Sequence, residues 1–313
     1  MIRRILVYHP EPVDTRAYAD LIRPAPGLLV TAGLTAEQAI AAAPEAEILY
    51  CWRPPRPLLA AAQRLRWIQC MGAGIEALLV PEVSPRVTIT RVAGIFGPWM
   101  AEYALGWCLW VTQRMDGFRA SQRARRWAPI DPIPLRGQTL CVIGLGDIGA
   151  RIARSGRALG MRAIGVSRTG RPVTGVSRVY RTRALTAALA EADFVVLTVP
   201  LSPATRGLLD AAALAAMKPS AWLINVARGP IVDEDAMVEA LRAGRMAGAI
   251  LDVFDIEPLP PTHPLWTLPN VVITPHISGP STPREIAPLF ADNLRRYLAG
   301  RPLRHVVDRR RGY

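Results

Sequence analysis

The chain has 313 residues, half of them hydrophobic, and a formal net charge of +13. This length suits about two domains of ordinary size, and apolar runs such as Tyr103 to Val111 are far too short to span a membrane. The charge comes from scattered arginines with one lysine, Lys218, and no recognisable nucleic-acid-binding motif accompanies it, so it indicates an attraction for anionic small molecules rather than for nucleic acid.

The cysteines and the first residues indicate a cytoplasmic protein. The chain begins MIRRILVYHPEP, in which the apolar run is too short for a signal peptide. The cysteines lie in largely apolar runs without CxxC spacing, which predicts buried, reduced thiols and neither a metal site nor a disulfide framework. They are Cys51, Cys70, Cys108 and Cys141.

The first third of the chain alternates strand-like and helical stretches. Helical patterns occupy Thr35–Ala42 and Arg56–Arg64. Strand-like runs occupy Ile5–Tyr8, Leu28–Thr31, Ile48–Cys51, Trp67–Cys70 and Val87–Thr90. This alternation predicts a parallel sheet that is covered by helices on both faces.

Two loops follow carboxyl ends of these strands, where such sheets bind ligands. Cys51 to Pro55 (CWRPP) offers an aromatic ring at Trp52 and a cation at Arg53. Met71 to Ile75 (MGAGI) offers small residues, and the backbone amides of Gly72, Ala73 and Gly74 could bind a carboxylate. Taken alone, the second loop is better interpreted as an ordinary turn.

A long apolar helix is predicted from Met100 to about Ser121, buried at an interface because its first half is apolar nearly all round. The proline-rich connector 127–134 (WAPIDPIP) cannot continue it. We therefore expect two α/β domains with Rossmann-like or flavodoxin-like parallel sheets. A discontinuous substrate domain would comprise residues 1–99 and 281–313, and a dinucleotide-binding domain residues 100–280.

The second domain opens with a dinucleotide-binding pattern. The strand-like run Leu140–Ile143 leads into Gly144-Leu145-Gly146-Asp147-Ile148-Gly149, and an amphipathic helical stretch follows. We expect Gly144 to form the tight turn, Gly146 to let a pyrophosphate approach the backbone, and Gly149 to allow close packing of helix and strand. The phosphates would lie at the positive end of the helix.

The next predicted strand, Arg162–Ser167, suggests which nicotinamide cofactor binds. NAD is usually held by an acidic residue at the end of this strand, but this chain has Ser167, Arg168 and Thr169 there, with Arg171 close behind. Hydroxyl and guanidinium groups bind a 2′-phosphate well, which predicts a preference for NADPH. The alternative is that these are solvated loop arginines in an arginine-rich chain.

Four later strand-like runs precede loops that should face the cofactor. The strands are predicted at Phe194–Val199, Leu223–Val226, Gly248–Leu251 and Val271–Thr274. The first is followed by Pro200 and by LSPATR, whose Thr205 suits a place beside ribose and pyrophosphate. A final helix at about Thr282 to Ala299 should return to the first domain.

Three polar residues follow the carboxyl ends of these strands and form a candidate catalytic group: Arg228, Glu257 and His276. An arginine can clamp the carboxylate of a 2-oxo acid, and a histidine can protonate its carbonyl oxygen as hydride arrives. A carboxylate paired with the histidine favours the imidazolium. Asp255 competes with Glu257 for this partner role, and Asp252 could bond the nicotinamide carboxamide.

Each member of the group also has a plain structural interpretation, since an isolated histidine is more often structural than catalytic. Histidine is scarce, however. The others are His9 after the first strand, His263 in a proline-rich loop and His305 near the end.

These residues together resemble the D-isomer-specific 2-hydroxyacid dehydrogenases. Arg228 in NVARG, Glu257 in DVFDIEPLP and His276 in TPHISG are similar to the catalytic motifs of that family. Within it, the chain is most similar to the NADPH-dependent glyoxylate/hydroxypyruvate reductase A group. Supporting residues are Tyr8-His9-Pro10, Trp52 to Pro55, Met71 to Gly74, Met100 to Tyr103, Val166 to Thr169 and the ending Asp308 to Tyr313.

The resemblance implies a homodimer of two-domain subunits, with NADPH and a small 2-oxo acid meeting in a cleft. It implies that Arg228 binds the substrate carboxylate, that His276 donates the proton and that Glu257 is the partner of His276. The backbone of Gly72 to Gly74 helps to hold the carboxylate, and Trp52 closes over the substrate. The cofactor-binding set is Gly144, Gly146, Asp147, Ile148, Gly149, Ser167, Arg168, Thr169, Val199, Pro200, Thr205, Val226, Ala227, Arg228, Asp252, His276, Ser278 and Gly279.

The expected activity is NADPH-dependent reduction of glyoxylate to glycolate and of hydroxypyruvate to D-glycerate. Pro98 and Trp99, which have no clear match in the group, could reshape the pocket for a bulkier 2-oxo acid such as 2-ketogluconate or phenylpyruvate. A second class is a nucleotide-sensing protein similar to the corepressors of this fold, which can retain the catalytic residues. Neither a nucleic acid nor a membrane is expected as a partner.

Overall fold

The computed structural model describes residues 2–312, so the terminal residues Met1 and Tyr313 of the predicted first domain lie outside the described part. The chain divides into two compact units. The first comprises the residues up to Ile95 together with those from Ser281 onward, and the second is Phe96–Pro280. The division lies slightly before the expected start at Met100 because a helix begins at Phe96.

The elements alternate along the chain as α/β folds require. The strands are β1 Arg3–Tyr8, β2 Leu28–Ala32, β3 Ile48–Cys51, β4 Trp67–Cys70, β5 Thr88–Thr90, β6 Thr139–Ile143, β7 Arg162–Ser167, β8 Arg178–Arg181, β9 Phe194–Leu197, β10 Trp222–Asn225, β11 Gly248–Leu251 and β12 Val271–Ile273. The helices are α1 Pro12–Asp20, α2 Ala36–Ala42, α3 Arg56–Ala61, α4 Phe96–Thr112, α5 Met115–Arg123, α6 Asp147–Ala158, α7 Leu185–Glu191, α8 Ala211–Ala215, α9 Glu234–Arg242 and α10 Pro283–Leu298.

The first unit has a five-stranded sheet of order β2-β1-β3-β4-β5, and every pair in it is parallel. The helix α10, from the far end of the chain, completes its core: Phe290 stacks on Tyr50 with ring centroids 4.1 Å apart and on Trp67 at 5.3 Å. A capping box between Thr282 and Glu285 starts this helix. The last helix thus belongs to the first unit.

The second unit has a seven-stranded sheet of order β12-β11-β10-β9-β6-β7-β8, again all parallel. The order reverses direction between β6 and β9, and this is the switch point at which such sheets bind dinucleotides. The strands β6, β9 and β11 are fully buried, and β10 is buried except at Trp222, because helices cover both faces. The predicted fold class, two parallel-sheet α/β domains of which one is discontinuous, is confirmed.

The predicted long helix from Met100 to Ser121 was wrong in its continuity. It is two helices, α4 and α5, separated at Arg114, whose backbone is left-handed with φ of 55°. The helix α4 packs against α6 and buries one face, including Met100, Ala104 and Cys108, while Glu102 is exposed. Within the single chain α4 is therefore buried on one face, and its burial at an interface stays a prediction.

Several elements had no counterpart in the sequence-based prediction, namely α1, the edge strand β8, and the helices α7 and α8. The predicted strands agree with those observed to within two residues at each end, and β3, β4, β7 and β11 have the predicted bounds. All four cysteines are buried, and none of them forms a disulfide bond. Among residues 2–312, no helix combines the length and apolar character needed to cross a membrane.

Candidate active site

The glycine turn between β6 and α6 has the geometry that the motif predicts. Gly144 has φ of 100°, and a Cβ there would lie 2.9 Å from the backbone nitrogen of Val199. A Cβ at Gly149 would overlap the carbonyl oxygen of Gly144 and lie 2.6 Å from Thr198 Oγ1. At Gly146, by contrast, a Cβ would meet nothing within 4 Å. The first and third glycines are required by packing, and the second borders open space.

That open space lies at the start of α6. Gly146 is the N-cap residue, no side chain within the described chain caps the helix, and Asp147 follows in the first turn. Gly146 and Asp147 are exposed, and Ile148 is half-buried. The N–H groups at a helix N-terminus suit a pyrophosphate, so the start of α6 fits the diphosphate of a dinucleotide.

Thr198 supports the turn from beneath and was not identified from the sequence. Its hydroxyl donates to the carbonyl oxygen of Gly144 over 2.6 Å. Its position directly after a buried strand, β9, beside the glycine turn was the available signal, but a threonine there has many structural uses.

Ser167, Arg168 and Thr169 lie at the carboxyl end of β7. The Ser167 hydroxyl accepts a hydrogen bond of 3.1 Å from the backbone of Gly170, and Arg168 and Thr169 are exposed. The strand pairing places Arg181, at the end of β8, directly beside Ser167. Gly170 closes over the Arg181 side chain, because a Cβ at Gly170 would lie 2.7 Å from Arg181 Cγ.

This end of β7 and β8 is strongly positive. Within residues 2–312, neither Arg168 nor Arg171 nor Arg181 forms an ion pair with a carboxylate. Uncompensated guanidinium groups beside a hydroxyl can bind a phosphate. Arg181 was missed in the sequence because the short edge strand RVYR has little apolar character.

The loop after β9 contains three of the predicted cofactor residues, and all of them are half-buried: Val199, Pro200 and Thr205. The Thr205 hydroxyl donates to the carbonyl oxygen of Pro200 over 2.6 Å and accepts from the backbone of Ser202 over 2.8 Å. Thr205 therefore orders this loop through its side chain. Val226 and Ala227 are buried after β10.

Asp252 is completely buried at the end of β11. Its carboxylate accepts hydrogen bonds from Thr274 Oγ1 at 2.6 Å, from the backbone of Ile277 at 2.8 Å and from the backbone of Ser278 at 2.9 Å. A carboxylate offers about four acceptor positions, so most of them are used by the loop that follows β12. Gly279, at the end of that loop, packs near Met100 of α4.

Arg228, Glu257 and His276 follow the adjacent strands β10, β11 and β12 at one edge of the sheet. His276 Nδ1 lies 2.8 Å from Glu257 Oε2, and the other carboxylate oxygen accepts a bond of 3.2 Å from the backbone of Phe254. The imidazole is about one third exposed and the carboxylate one quarter. Because Nδ1 is engaged by the carboxylate, Nε2 is the nitrogen that can exchange a proton with a ligand.

The backbone of His276 is left-handed, with φ of 54°, an uncommon conformation for a residue with a side chain. Its N–H donates to the carbonyl oxygen of Asp252 over 2.9 Å. Unfavourable backbone geometry of this kind persists only where surrounding contacts hold it.

Arg228 is half-buried and held by its own loop. Its Nη1 donates to the carbonyl oxygen of Ala227 over 2.6 Å, and its carbonyl oxygen accepts from Asn225 Nδ2 over 3.1 Å. A side chain at the next residue, Gly229, would overlap the backbone of Phe254. Glycine thus lets the Arg228 loop lie directly against the loop that leads to Glu257.

The alternative partner for His276 does not contact it. Asp255 lies near charged groups of other loops, Arg206, Asp233, Asp235 and His263, and its pKa is raised, mainly by desolvation. His263 pairs with Glu234 at 2.9 Å, and His9 accepts a bond from the backbone of Glu11. His305 is exposed near the end of the chain.

The predicted substrate-binding residues Trp52 and Gly72 come together in the first unit. A side chain at Gly72 would overlap the six-membered ring of Trp52, so the indole lies directly against the backbone there. The MGAGI loop is tied to its neighbours by the Met71 amide, which donates to Cys51 O over 2.9 Å, and by the Gly74 carbonyl oxygen, which accepts from Cys70 Sγ. Ala73 is half-buried between the two glycines.

Pro98 and Trp99 lie in the first turn of α4, in the second unit, and both are exposed. Within the described residues, no group of three or more His, Cys, Asp or Glu side chains could hold a metal ion.

A family model described as D-isomer specific 2-hydroxyacid dehydrogenase, NAD binding domain, matches residues 105–278. A glyoxylate/hydroxypyruvate reductase A from Serratia proteamaculans (strain 568) is 34% identical over 275 residues, which cover 86% of this chain and 88% of that protein.

Solved structures give the same result. A D-isomer specific 2-hydroxyacid dehydrogenase family protein from Aeromonas salmonicida subsp. salmonicida A449 is 37% identical with a TM-score of 0.92, covering 99% of this chain and 100% of that chain. An NADPH-dependent glyoxylate/hydroxypyruvate reductase from Sinorhizobium meliloti, in complex with NADP and sulfate, is 28% identical with a TM-score of 0.90, covering 99% and 100%. The resemblance seen in the sequence is confirmed.

Proposed function

The chain belongs to the D-isomer-specific 2-hydroxyacid dehydrogenase family, and from that premise we propose that it reduces small 2-oxo acids with NADPH. The proposed reactions are glyoxylate to glycolate and hydroxypyruvate to D-glycerate. A relative at 34% identity bears the name of that activity.

The observation that carries the proposal is the pair between His276 Nδ1 and Glu257 Oε2 at 2.8 Å. A carboxylate on one nitrogen stabilises the imidazolium and orients the ring, so that the second N–H can donate a proton. The ring is partly exposed, which suits a group that must reach a small ligand. In this proposal Nε2 of His276 protonates the carbonyl oxygen of the 2-oxo acid as the carbonyl carbon is reduced.

Arg228 is proposed to bind the substrate carboxylate. Its guanidinium is fixed by the bond to Ala227 O, and a guanidinium matches a carboxylate in shape and charge. In the first unit, Gly72, Ala73, Gly74 and Trp52 remain proposed substrate-binding residues. The overlap of Trp52 with any side chain at Gly72 supports a shared role for these residues.

The reduced nicotinamide, when bound, supplies the hydride. The open backbone at Gly146 and the uncapped start of α6 support a diphosphate site there. Asp147, Ile148, Val199, Pro200, Thr205, Val226, Ala227, Asp252, Ser278 and Gly279 remain proposed cofactor neighbours.

A preference for NADPH is supported by the chemistry at the end of β7. Ser167, Arg168 and Thr169 are proposed to hold the 2′-phosphate, and Arg181 adds a further cation from β8. The Sinorhizobium relative is named as NADPH-dependent.

We also propose a cytoplasmic homodimer. Three large apolar side chains at or after α5 are exposed, Met115 by 44%, Phe118 by 43% and Trp127 fully. Large apolar side chains exposed on a single chain are available for a contact with a second copy. Light scattering of the purified protein tests this, and a monomer at micromolar concentration would contradict it.

The activity is tested by following NADPH and NADH absorbance with glyoxylate, hydroxypyruvate, pyruvate, phenylpyruvate and 2-ketogluconate. Turnover of the two small acids with NADPH is expected. Turnover of a bulky acid alone would keep the chemistry and direct attention to Trp52, Pro98 and Trp99. Tight NADPH binding without turnover of any acid would contradict the enzyme proposal and favour a nucleotide sensor.

A further inference from the structure

Two hydroxyl groups link the helix α4 to the buried carboxylate beneath the His276 loop. Tyr103 Oη on α4 lies 2.6 Å from Thr274 Oγ1, and Thr274 Oγ1 donates to Asp252 Oδ1 over 2.6 Å. The same carboxylate accepts the backbone N–H groups of Ile277 and Ser278. The series therefore runs from a helix, through two side chains, to the backbone on the C-terminal side of His276.

The direction of these bonds follows from the chemistry of the groups. A carboxylate can only accept, so the single proton of the Thr274 hydroxyl is given to Asp252. Thr274 Oγ1 must then accept from Tyr103, whose phenol donates. Burial is the main cause that raises the pKa of Tyr103 to about 12, so the phenol keeps its proton throughout the neutral range. The Tyr103 hydroxyl therefore donates to Thr274 Oγ1, and the Thr274 hydroxyl donates to Asp252 Oδ1.

The loop has a reason to need such an anchor. His276 has a left-handed backbone, and its N–H donates to the carbonyl oxygen of Asp252 itself. Both the backbone and the side chain of Asp252 thus bind the loop, one at His276 and the other at the next two residues. Because three backbone N–H groups of the loop donate to Asp252, we expect a displaced carboxylate to displace the loop as well.

We propose that Tyr103 and Thr274 are positioning residues that fix the Asp252 carboxylate and, through it, keep the imidazole of His276 against Glu257. The inference rests on the proposed function for its catalytic consequence, whereas its structural half stands independently. Neither hydroxyl is expected to touch the substrate. Their effect is on how often the imidazole adopts its catalytic position.

The test compares Thr274→Val, which removes the hydroxyl at nearly constant shape, with Thr274→Ser, which keeps it. Tyr103→Phe removes only the outer bond. Thr267→Val is the matched control, because this exposed hydroxyl donates to Pro264 O in the same unit, away from the loop. Two quantities are measured: hydrogen–deuterium exchange of the segment 275–279 in the cofactor-free protein, and kcat and KM with glyoxylate and NADPH.

In Thr274→Val the amides of Ile277 and Ser278 should exchange hydrogen for deuterium markedly faster than in the wild type. The substitution should also lower kcat by roughly tenfold to a hundredfold, since a small misplacement of a catalytic group has a large effect on rate. KM for the acid should change by less than about threefold, because Arg228, the proposed site of the substrate carboxylate, is held by a different loop. Thr274→Ser should recover most of both losses. Combining Tyr103→Phe with Thr274→Val should cost little more than Thr274→Val alone, because the two bonds act in series.

Unchanged exchange at 275–279 in Thr274→Val would overturn the inference, as would a lower melting temperature with kcat unaltered, which indicates a structural role alone. A wild-type protein that reduces no 2-oxo acid would refute the proposed function instead. In that case the exchange data still decide whether the hydroxyls anchor the loop.

Discussion

The edge strand β8 carries an arginine at each end, and replacing them one at a time separates recognition of a 2′-phosphate from a general effect of charge. Arg181 lies at the carboxyl end beside Ser167, whereas Arg178 lies at the other end and pairs with Glu191. Arg181→Ala and Arg178→Ala remove the same charge from the same strand. Of the two substitutions, only Arg181→Ala should lower the affinity for NADPH.

The size of the effect follows from the exposure of the site. Hydrogen bonds to charged groups contribute about 1.5–3 kcal/mol, but Arg181 is exposed, and exposed ion pairs contribute roughly 0.2–1 kcal/mol. A value near 1 kcal/mol is therefore expected, which corresponds to a loss of NADPH affinity of roughly fivefold. NADH, which has no 2′-phosphate, should lose less than about twofold.

The assay is titration of the protein with NADPH and with NADH, followed by nicotinamide fluorescence, at two salt concentrations. Because the binding is partly electrostatic, the ratio of the two affinities should fall as salt rises. Equal losses for NADPH and NADH in Arg181→Ala would refute the assignment, as would an equal effect of Arg178→Ala.

Three further results are expected. Arg168→Ala should lower the affinity for NADPH more than Arg181→Ala does and leave the affinity for NADH unchanged. Equal losses of affinity for the two cofactors would show that Arg168 does not bind the 2′-phosphate. Gly72→Ala places a methyl group against the Trp52 ring, so KM for glyoxylate should rise about tenfold or more while the affinity for NADPH is unchanged. The control is Gly106→Ala, where the new methyl group meets nothing within 4 Å. The four cysteines are buried, and burial is the main cause that raises the pKa of Cys141 to about 12, so thiol reagents at pH 8 should label the native protein slowly and the unfolded protein fully; rapid native labelling would contradict the packing.

The sequence predicted the glycine turn and the three polar residues after β10, β11 and β12 because both depend on local order. A strand, a glycine motif and a helix are consecutive in the chain, and the carboxyl ends of parallel strands share one edge. The choice of Glu257 over Asp255 as the partner of His276 was left open by the sequence. The choice depends on the path of the loop after β11, where Glu257 also accepts a hydrogen bond from the backbone N–H of Phe254.

Other features could not be predicted because they depend on contacts between distant segments. Arg181 acquires its place beside Ser167 only when β8 pairs with β7, and RVYR lacks the apolar pattern of a strand. The break between α4 and α5 requires a left-handed backbone at Arg114, and an arginine in the sequence does not predict that conformation. The bond from Tyr103 to Thr274 joins residues that are far apart in the chain.

The most direct test of the account is the turnover of His276→Ala with glyoxylate and NADPH, measured beside the affinity of the same variant for NADPH. Loss of a general acid typically costs about a hundredfold to ten-thousandfold in rate. A loss in kcat of that order is expected, with the affinity for NADPH within about threefold of wild type. Turnover equal to wild type would remove His276 from the acid role and contradict the proposed mechanism.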